Sequence, residues 1–84
     1  MKVHELKCWP EYFEAVRAGL KPFEVRKADR AFTEGDILWL REWAEGDPGQ
    51  RYTGRHLRRR VTYVLVGGQF GIAAGYVVLG LSRD

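Results

Sequence analysis

The stretch GLKPFEVR, residues 19–26, marks the point where a predicted helix ends and a predicted strand begins. Gly19 suits the position just after a helix, where glycine adopts a left-handed backbone at little steric cost. In the segment that follows, Glu24 and Arg26 share one side of an extended chain, because side chains alternate along a strand. Lys21 stands just upstream, so these charged side chains either decorate a solvated strand or line a functional site.

The segment before this stretch, PEYFEAVRAG at 10–19, is typical of a short amphipathic helix. Pro10 suits the first helical position, where a missing backbone N–H does no harm. Phe13, Val16 and Leu20 recur at helical spacing, so we expect them to face the core.

Five segments are typical of strands, because apolar and β-branched residues in them are bounded by turn formers. They are residues 3–8, 23–27, 37–43, 58–66 and 76–81. Residues 44–54, rich in glycine, aspartate and proline, predict a loop, and the glycine-rich residues 67–75 predict an irregular connection. The last strand, YVVLGL, is apolar on both faces, which predicts a position inside the sheet.

The predicted order is β-α-β-β-β-β in one domain, residues 1–84, which is too short for two cores. Short strands, one early helix and several glycine turns favour the α+β class. The expected architecture is a small, strongly curved β-barrel of about five strands with the helix plugging one side. A flat α+β sheet is the alternative.

Composition excludes several classes of protein. Hydrophobic residues make up 45% and charged residues 30%, as in a folded globular domain. The apolar run at 71–81 is too short to span a bilayer, and residues 1–10 lack the apolar core of a signal peptide. The lone Cys8 cannot form an internal disulfide, which favours a reducing, cytoplasmic setting. With His4 and His56 it makes no paired metal-binding spacing, so we expect neither a metal nor a cofactor.

The net charge of +3 hides an asymmetry along the chain. Residues 1–47 carry eight Lys/Arg and ten Asp/Glu, whereas residues 48–84 carry six arginines and one acid. Five of those arginines fall in RYTGRHLRRR, residues 51–60. The planar guanidinium suits phosphates and stacks on bases, so this stretch predicts a nucleic-acid contact. A merely solubilising strand or loop would show the same composition.

Two clusters are candidates for chemistry. In the first, Lys21, Glu24 and Arg26 either converge on one concavity or form an ordinary surface salt bridge, and Asp29 and Arg30 extend them into the next loop. A lysine against a carboxylate is also the one obvious proton-transfer pair in the chain, so Lys21 and Glu24 are the residues to expect at a catalytic site.

The second cluster lies in the predicted loop. Tyr52 is suited to stack on a base and Thr53 to bond a phosphate or a base edge. Alternatively, Gly54 supplies a bend and Tyr52 simply packs. Of the tryptophans, Trp39 is expected in the core, and Trp43, at a strand end, is a candidate for ligand stacking.

The motif G-x-K-x-x-E-x-R in GLKPFEVR resembles the signature of the ASCH domain, a member of the PUA-like superfamily of small RNA-associated β-barrels. The chain from His4 to Leu79 is similar to a compact bacterial and phage branch of unknown function, through segments such as HELK, the YTGR of residues 52–55 and GYVVL. The combined pattern covers nearly the whole chain.

This resemblance implies a PUA-like barrel with a basic cleft beside the early helix, lined by Lys21, Glu24 and Arg26. It also implies roles for the other polar positions that match the branch: Lys7, Asp29, Arg30, Glu42, Tyr52, Thr53 and Arg55. Some small ASCH proteins are similar to amidohydrolases of acetylated cytidine that use a lysine, a threonine and a glutamate. Lys21 matches that lysine, whereas Glu24 stands at the threonine position.

We therefore expect a module that binds RNA or a modified nucleotide, favoured as a monomer and without a membrane partner. Glu24 would read a base or nucleotide together with Lys21 and Arg26, because a carboxylate accepts hydrogen bonds from base amino groups. The arginines of the basic stretch would hold phosphates: Arg55, Arg58, Arg59 and Arg60. The alternatives are a small hydrolase of a modified nucleoside and a phage or bacterial module that binds a protein.

Overall fold

The computed structural model describes residues 1–46 and 49–83. Its elements are β1 (Val3–Cys8), α1 (Pro10–Arg17), β2 (Phe23–Lys27), β3 (Ile37–Gly46), β4 (Gly49–Val66) and β5 (Tyr76–Leu81). The predicted order of one helix and five strands is confirmed, and so is the α+β class.

The strands form one mixed sheet in the order β1-β3-β4-β5-β2. β1 runs parallel to β3, and the other neighbours are antiparallel. β4 is 18 residues long and serves both halves of the sheet: its first part pairs with β3 and its last part with β5. β5 lies inside the sheet as predicted. Backbone pairing does not join the edge strands β1 and β2, so the sheet is not closed into a barrel.

The prediction of a loop at 44–54 is wrong. β3 continues to Gly46 and β4 begins at Gly49, with Trp43 opposite Tyr52 and Gly46 opposite Gly49. The rings of Trp43 and Tyr52 meet edge to face at 4.7 Å, a cross-strand contact that stabilises this end of the hairpin. The glycine and aspartate content of this segment predicted a loop, but its described residues pair with one another as the ends of β3 and β4. Residues 47 and 48 of the predicted loop lie outside the described residues.

The core lies between α1 and the inner face of the sheet. Phe13 and Val16 are buried as predicted, against a fully buried set that includes Leu38, Leu40 and Leu79. Their burial drives the packing of a helix too short to be stable alone.

The prediction that Leu20 faces the core is wrong, because its side chain is 81% exposed. The helix ends at Arg17, and Gly19 takes a left-handed backbone with φ 79°. The amide N–H of Leu20 then donates to the carbonyl of Ala15, and that of Gly19 to Val16. This Schellman-type end carries Leu20 away from the buried face of the helix.

The prediction of a core position for Trp39 is also wrong. On β3 the side chains of Leu38, Leu40 and Glu42 point inward, so Trp39 lies on the outer face and is half-buried. Its indole N–H donates to Nδ1 of His56 at 2.9 Å.

A buried carboxylate joins β1 to the turn before β3. Asp36 accepts hydrogen bonds from His4 Nε2 at 2.9 Å and from the backbone N–H groups of Lys2 and Thr33, each at 3.0 Å. The hydrogen bond from His4, helped by the one from the Lys2 amide, lowers the pKa of Asp36 to about 2. His4 is therefore a hydrogen-bonded residue of the interior.

Asp36→Asn should lower the free energy of unfolding at neutral pH by about 1–3 kcal/mol, because an amide has one acceptor oxygen for three donors. Since the pKa of Asp36 is lowered in the folded state, its stabilising contribution is present above pH ~4 and is lost as the pH falls towards 2. Urea unfolding between pH 7 and 2 should show a flatter acid limb in the variant. Asp29→Asn, the same change at an exposed position, is the control, and an unchanged acid limb in Asp36→Asn would contradict the assignment.

Candidate functional site

A groove of about 500 Å³ lies at the seam between the two edge strands, β1 and β2. Nη2 of Arg26, on β2, donates to the backbone carbonyl of Lys7, on β1, at 2.7 Å, so a side chain spans the seam that backbone pairing leaves open. The groove is lined by Lys7, Cys8, Trp9, Tyr12, Glu24, Val25, Arg26, Trp43 and Gln50.

Glu24 is the carboxylate in the wall of this groove. Its side chain is 4% exposed, and its oxygens contact Lys21 Nζ at 2.7 Å and Arg26 Nε at 2.9 Å. On the other side of the strand, Phe23 and Val25 are 40% and 51% exposed. The interpretation of a decorated solvated strand is therefore wrong: this strand turns its carboxylate inward, and that carboxylate binds both neighbouring cations.

The cluster of Lys21, Glu24 and Arg26 carries one net positive charge. A buried carboxylate is expensive to desolvate, and two hydrogen-bonded cations offset that cost. Both cations stay partly exposed, at 19% for Lys21 and 25% for Arg26. Glu24 therefore holds two cationic groups in fixed positions that an incoming ligand can reach.

The end of α1 positions Lys21. The turn at Gly19 brings the amide N–H of Lys21 onto the carbonyl of Ala15, and the carbonyl of Pro22 accepts from the Leu81 amide at 3.0 Å. The ammonium group then lies 5.5 Å from the centre of the Tyr12 ring. The motif thus joins a helix end to a strand start so that its charges converge.

A second cluster surrounds the buried Glu42. Thr53 Oγ1 donates to Oε1 of Glu42 at 2.7 Å, and Arg55 Nη1 lies 3.7 Å from Oε2. The other end of the Arg55 guanidinium contacts Glu14 on α1 at 3.2 Å. Hydrogen bonds from Arg17 and then Arg55 lower the pKa of Glu14 to about 2. Arg55 thus connects the helix to β4.

A β-bulge creates this second cluster. Arg41 pairs with His56 and Trp43 with Tyr52, so residues 53–55 stand opposite Glu42 alone. Gly54 has a φ of 96° in the bulge. The bend at Gly54 is confirmed, and Tyr52 packs on Trp43, but both sit in a strand and not in a loop. The extra residues let the side chains of Thr53 and Arg55 both reach Glu42.

Gly54→Ala should lower the free energy of unfolding by about 1–3 kcal/mol, because a side chain is strained at this positive φ even though the surrounding space is open. NMR amide shifts should change most around Thr53 and Glu42. Gly46→Ala in the same hairpin is the matched control, since there the new methyl meets only the flexible guanidinium of Arg51 at 3.2 Å. Equal stability of the two variants would show that the bulge does not require glycine.

Cys8 lies buried at the bottom of the groove. Burial, reinforced by the negative charge of Glu24, raises the pKa of its thiol to about 11, although Lys21 and Arg26 oppose the shift. Because the thiolate is the reactive form, Cys8 is not poised to act as a nucleophile at neutral pH.

Alkylation of Cys8 by iodoacetamide at pH 8 should be about a hundredfold slower in the folded protein than in urea, from the thiolate fraction alone. The rate should rise with pH towards 11. Mass spectrometry measures it directly, because the chain has one cysteine. Rapid labelling of the folded protein at pH 8 would contradict this description of the groove.

The remaining predicted site residues are more dispersed. Asp29 and Arg30 contact each other at 3.5 Å in an exposed turn. Arg30 and Tyr52 line a second concavity of about 370 Å³, which shares Lys7 and Arg26 with the groove. The arginines of the basic stretch lie along β4 outside the groove lining: Arg58, Arg59 and Arg60.

Five residues that line the groove were not among the predicted site residues: Cys8, Trp9, Tyr12, Val25 and Gln50. Trp9 precedes α1 and Tyr12 lies in its first turn. Gln50 is the second residue of β4, and its Oε1 accepts from the Trp43 indole at 3.3 Å. In the sequence, Trp9 and Tyr12 flank Pro10 at the start of the predicted helix. This aromatic pair is the feature from which part of the groove wall could have been predicted. Gln50 offered no signal, because its segment was predicted to be a loop.

Within residues 1–46 and 49–83, no group of three or more His, Cys, Asp or Glu side chains is arranged to hold a metal ion. The helix of this described part is too short and too polar to cross a bilayer.

The structure thus defines a small α+β domain with a cationic, aromatic-walled groove at the open seam of its sheet. A family model described as "Domain of unknown function (DUF3850)" matches residues 3–81, so the chain belongs to this family. The predicted likeness to a phage or bacterial family of unknown function is confirmed.

A phage protein is among the relatives. The "Uncharacterized 12.9 kDa protein in GpA 3'region" of Escherichia phage P2 is 43% identical over 63 residues. The match covers 75% of this chain and 54% of the phage protein, so the chain spans about half of that relative's length.

Proposed function

We propose that the protein binds RNA or a modified nucleotide in the groove, as an ASCH-type module of the PUA-like superfamily. The observation that carries the proposal is the buried Glu24, held between Lys21 and Arg26 in the wall of an aromatic-lined concavity.

The groove combines the three kinds of group that a nucleotide needs. Lys7 and Arg26 line the groove and supply positive charge for a phosphate, and Lys21 adds a third cation at Glu24. The rings of Trp9 and Trp43 offer surfaces for a base. Glu24 is the discriminating group, because a carboxylate repels phosphate but accepts hydrogen bonds from base amino groups. Oε1 of Glu24 accepts from Lys21 alone and so has a further lone pair, whereas Oε2 contacts both Nε and Nη2 of Arg26.

The geometry supports the ASCH resemblance. The lysine, glutamate and arginine of the G-x-K-x-x-E-x-R motif meet at one carboxylate, as expected for a signature that builds a site. The bond from Arg26 to the Lys7 carbonyl brings β1 and β2 together across the seam, as a barrel-like arrangement of the strands requires.

Glu24→Gln should change which ligand binds more than it changes the affinity for bulk RNA. The amide keeps the shape but loses the charge and one acceptor, so nucleosides with exposed amino groups should lose most. Titration of the 15N-labelled protein with cytidine, adenosine, uridine and a short RNA measures this, with Glu34→Gln, an exposed acid in a turn, as control. An equal loss for every ligand, or shifts outside the groove only, would count against the proposal.

The same groove allows a direct check for catalysis, since Lys21 Nζ lies 2.7 Å from Glu24. N-acylated nucleosides incubated with the protein and analysed by chromatography should remain intact if the module only binds. Turnover that disappears in Lys21→Met would replace the binding proposal by a hydrolase that uses the same residues.

A further inference from the structure

Cations and aromatic rings alternate across the outer face of β1, β3 and β4. We call this set the outer stripe, and it consists of Lys7, Trp43, Tyr52, Arg41, Trp39 and Arg58. Strand register explains why they share a face: Lys7 stands opposite Arg41, Trp43 opposite Tyr52, and Trp39 opposite Arg58.

The contacts in the outer stripe form an uninterrupted series. Lys7 Nζ lies 4.1 Å from the centre of the Trp43 ring, and Trp43 meets Tyr52 edge to face. The Arg41 guanidinium lies 3.7 Å from the Tyr52 ring and 5.1 Å from Trp39. Arg58 ends the series 5.5 Å from Trp39.

Such contacts are individually weak at exposed sites, and a sheet does not need a whole row of them to be stable. The side chains of Trp39, Trp43 and Tyr52 remain half-buried. A row of rings and guanidinium planes that solvent can reach is the arrangement on which unpaired bases stack, with the cations near their phosphates.

The outer stripe is continuous with the groove, because Lys7 and Trp43 belong to both. From Trp43 to Trp39 the stripe runs about 13 Å along β3, which matches about two to four nucleotides of a single strand. The outer stripe keeps a net positive charge. Glu5 binds Arg41 at 2.7 Å and neutralises it, but Lys7 and Arg58 face no carboxylate within salt-bridge distance in the described chain.

We propose that the ligand is a single-stranded nucleic acid that places one nucleotide in the groove and its neighbours along the outer stripe. This inference rests on the proposed function, which it deepens by naming an oligonucleotide and not a free nucleoside as the ligand. A double helix does not fit, because its bases are not available for stacking on the sheet.

Length dependence tests the inference. Dissociation constants should be measured by titration calorimetry for uridine monophosphate and for single strands of two, four, six and eight nucleotides, as RNA and as DNA. Affinity should rise with length and level off between four and six nucleotides, since one nucleotide fills the groove and about two to four lie along the outer stripe. A preference between RNA and DNA identifies the sugar, whereas tighter binding of a duplex of the same length would overturn the proposal.

Trp39→Leu should weaken binding of the six-nucleotide strand by at least about fivefold and leave the mononucleotide unchanged, because it removes stacking at the far end of the stripe. Tyr63→Leu, an exposed aromatic on the other half of the sheet, is the matched control. If Trp39→Leu unfolds the protein, Arg58→Ala compared with the exposed Arg83→Ala makes the same test.

The outcomes separate this inference from the groove proposal. Mononucleotide binding without length dependence, or equal effects of Trp39→Leu and Tyr63→Leu, would reject the outer stripe and keep the groove. Strand binding that Trp39→Leu weakens and Glu24→Gln does not affect would reject the groove. Absence of binding for every ligand would overturn both.

Discussion

The ion-pair cluster around Glu24 is the interaction on which the groove depends. The edge strands of the sheet, β1 and β2, are not joined by backbone pairing, and Arg26 spans the gap by binding Glu24 on one side and the Lys7 carbonyl on the other. A carboxylate this deeply buried is tolerated only while cations satisfy it. The same contacts that hold the two edges in place therefore keep charged groups at the surface of a concavity.

The long hairpin of β3 and β4 has two distinct faces because of the bulge at Gly54. Inward, the bulge lets Thr53 and Arg55 share the buried Glu42 and connects β4 to the helix. Outward, Tyr52 and the neighbouring arginines stay in register with the aromatic residues of β3. The two extra residues of the bulge thus separate the polar cluster at Glu42 from the row of rings and cations on the outer face.

Local sequence patterns predicted the order of the helix and strands well, but predicted less well which faces are buried and how far the strands extend. Gly19 and Pro10 bounded the helix correctly, because capping depends on residues within one turn. The alternation along β3 predicted that Leu38 and Trp39 lie on opposite faces of the sheet. Which of these faces is buried depends on where α1 packs. The loop at 44–54 was mispredicted because its glycine content is typical of turns, whereas pairing with β3 and the contact of Trp43 with Tyr52 extend the strand.

The sequence by itself determined the order of elements, the α+β class and the shared strand face of Glu24 and Arg26, since these follow from short-range geometry. Only the tertiary structure decided that Glu24 is buried and bound to both cations, that Cys8 lies beneath them, and that Trp9, Tyr12 and Gln50 complete the groove. The reason is physical: burial, and with it the pKa of Cys8, depends on strands that meet across the seam from distant parts of the chain.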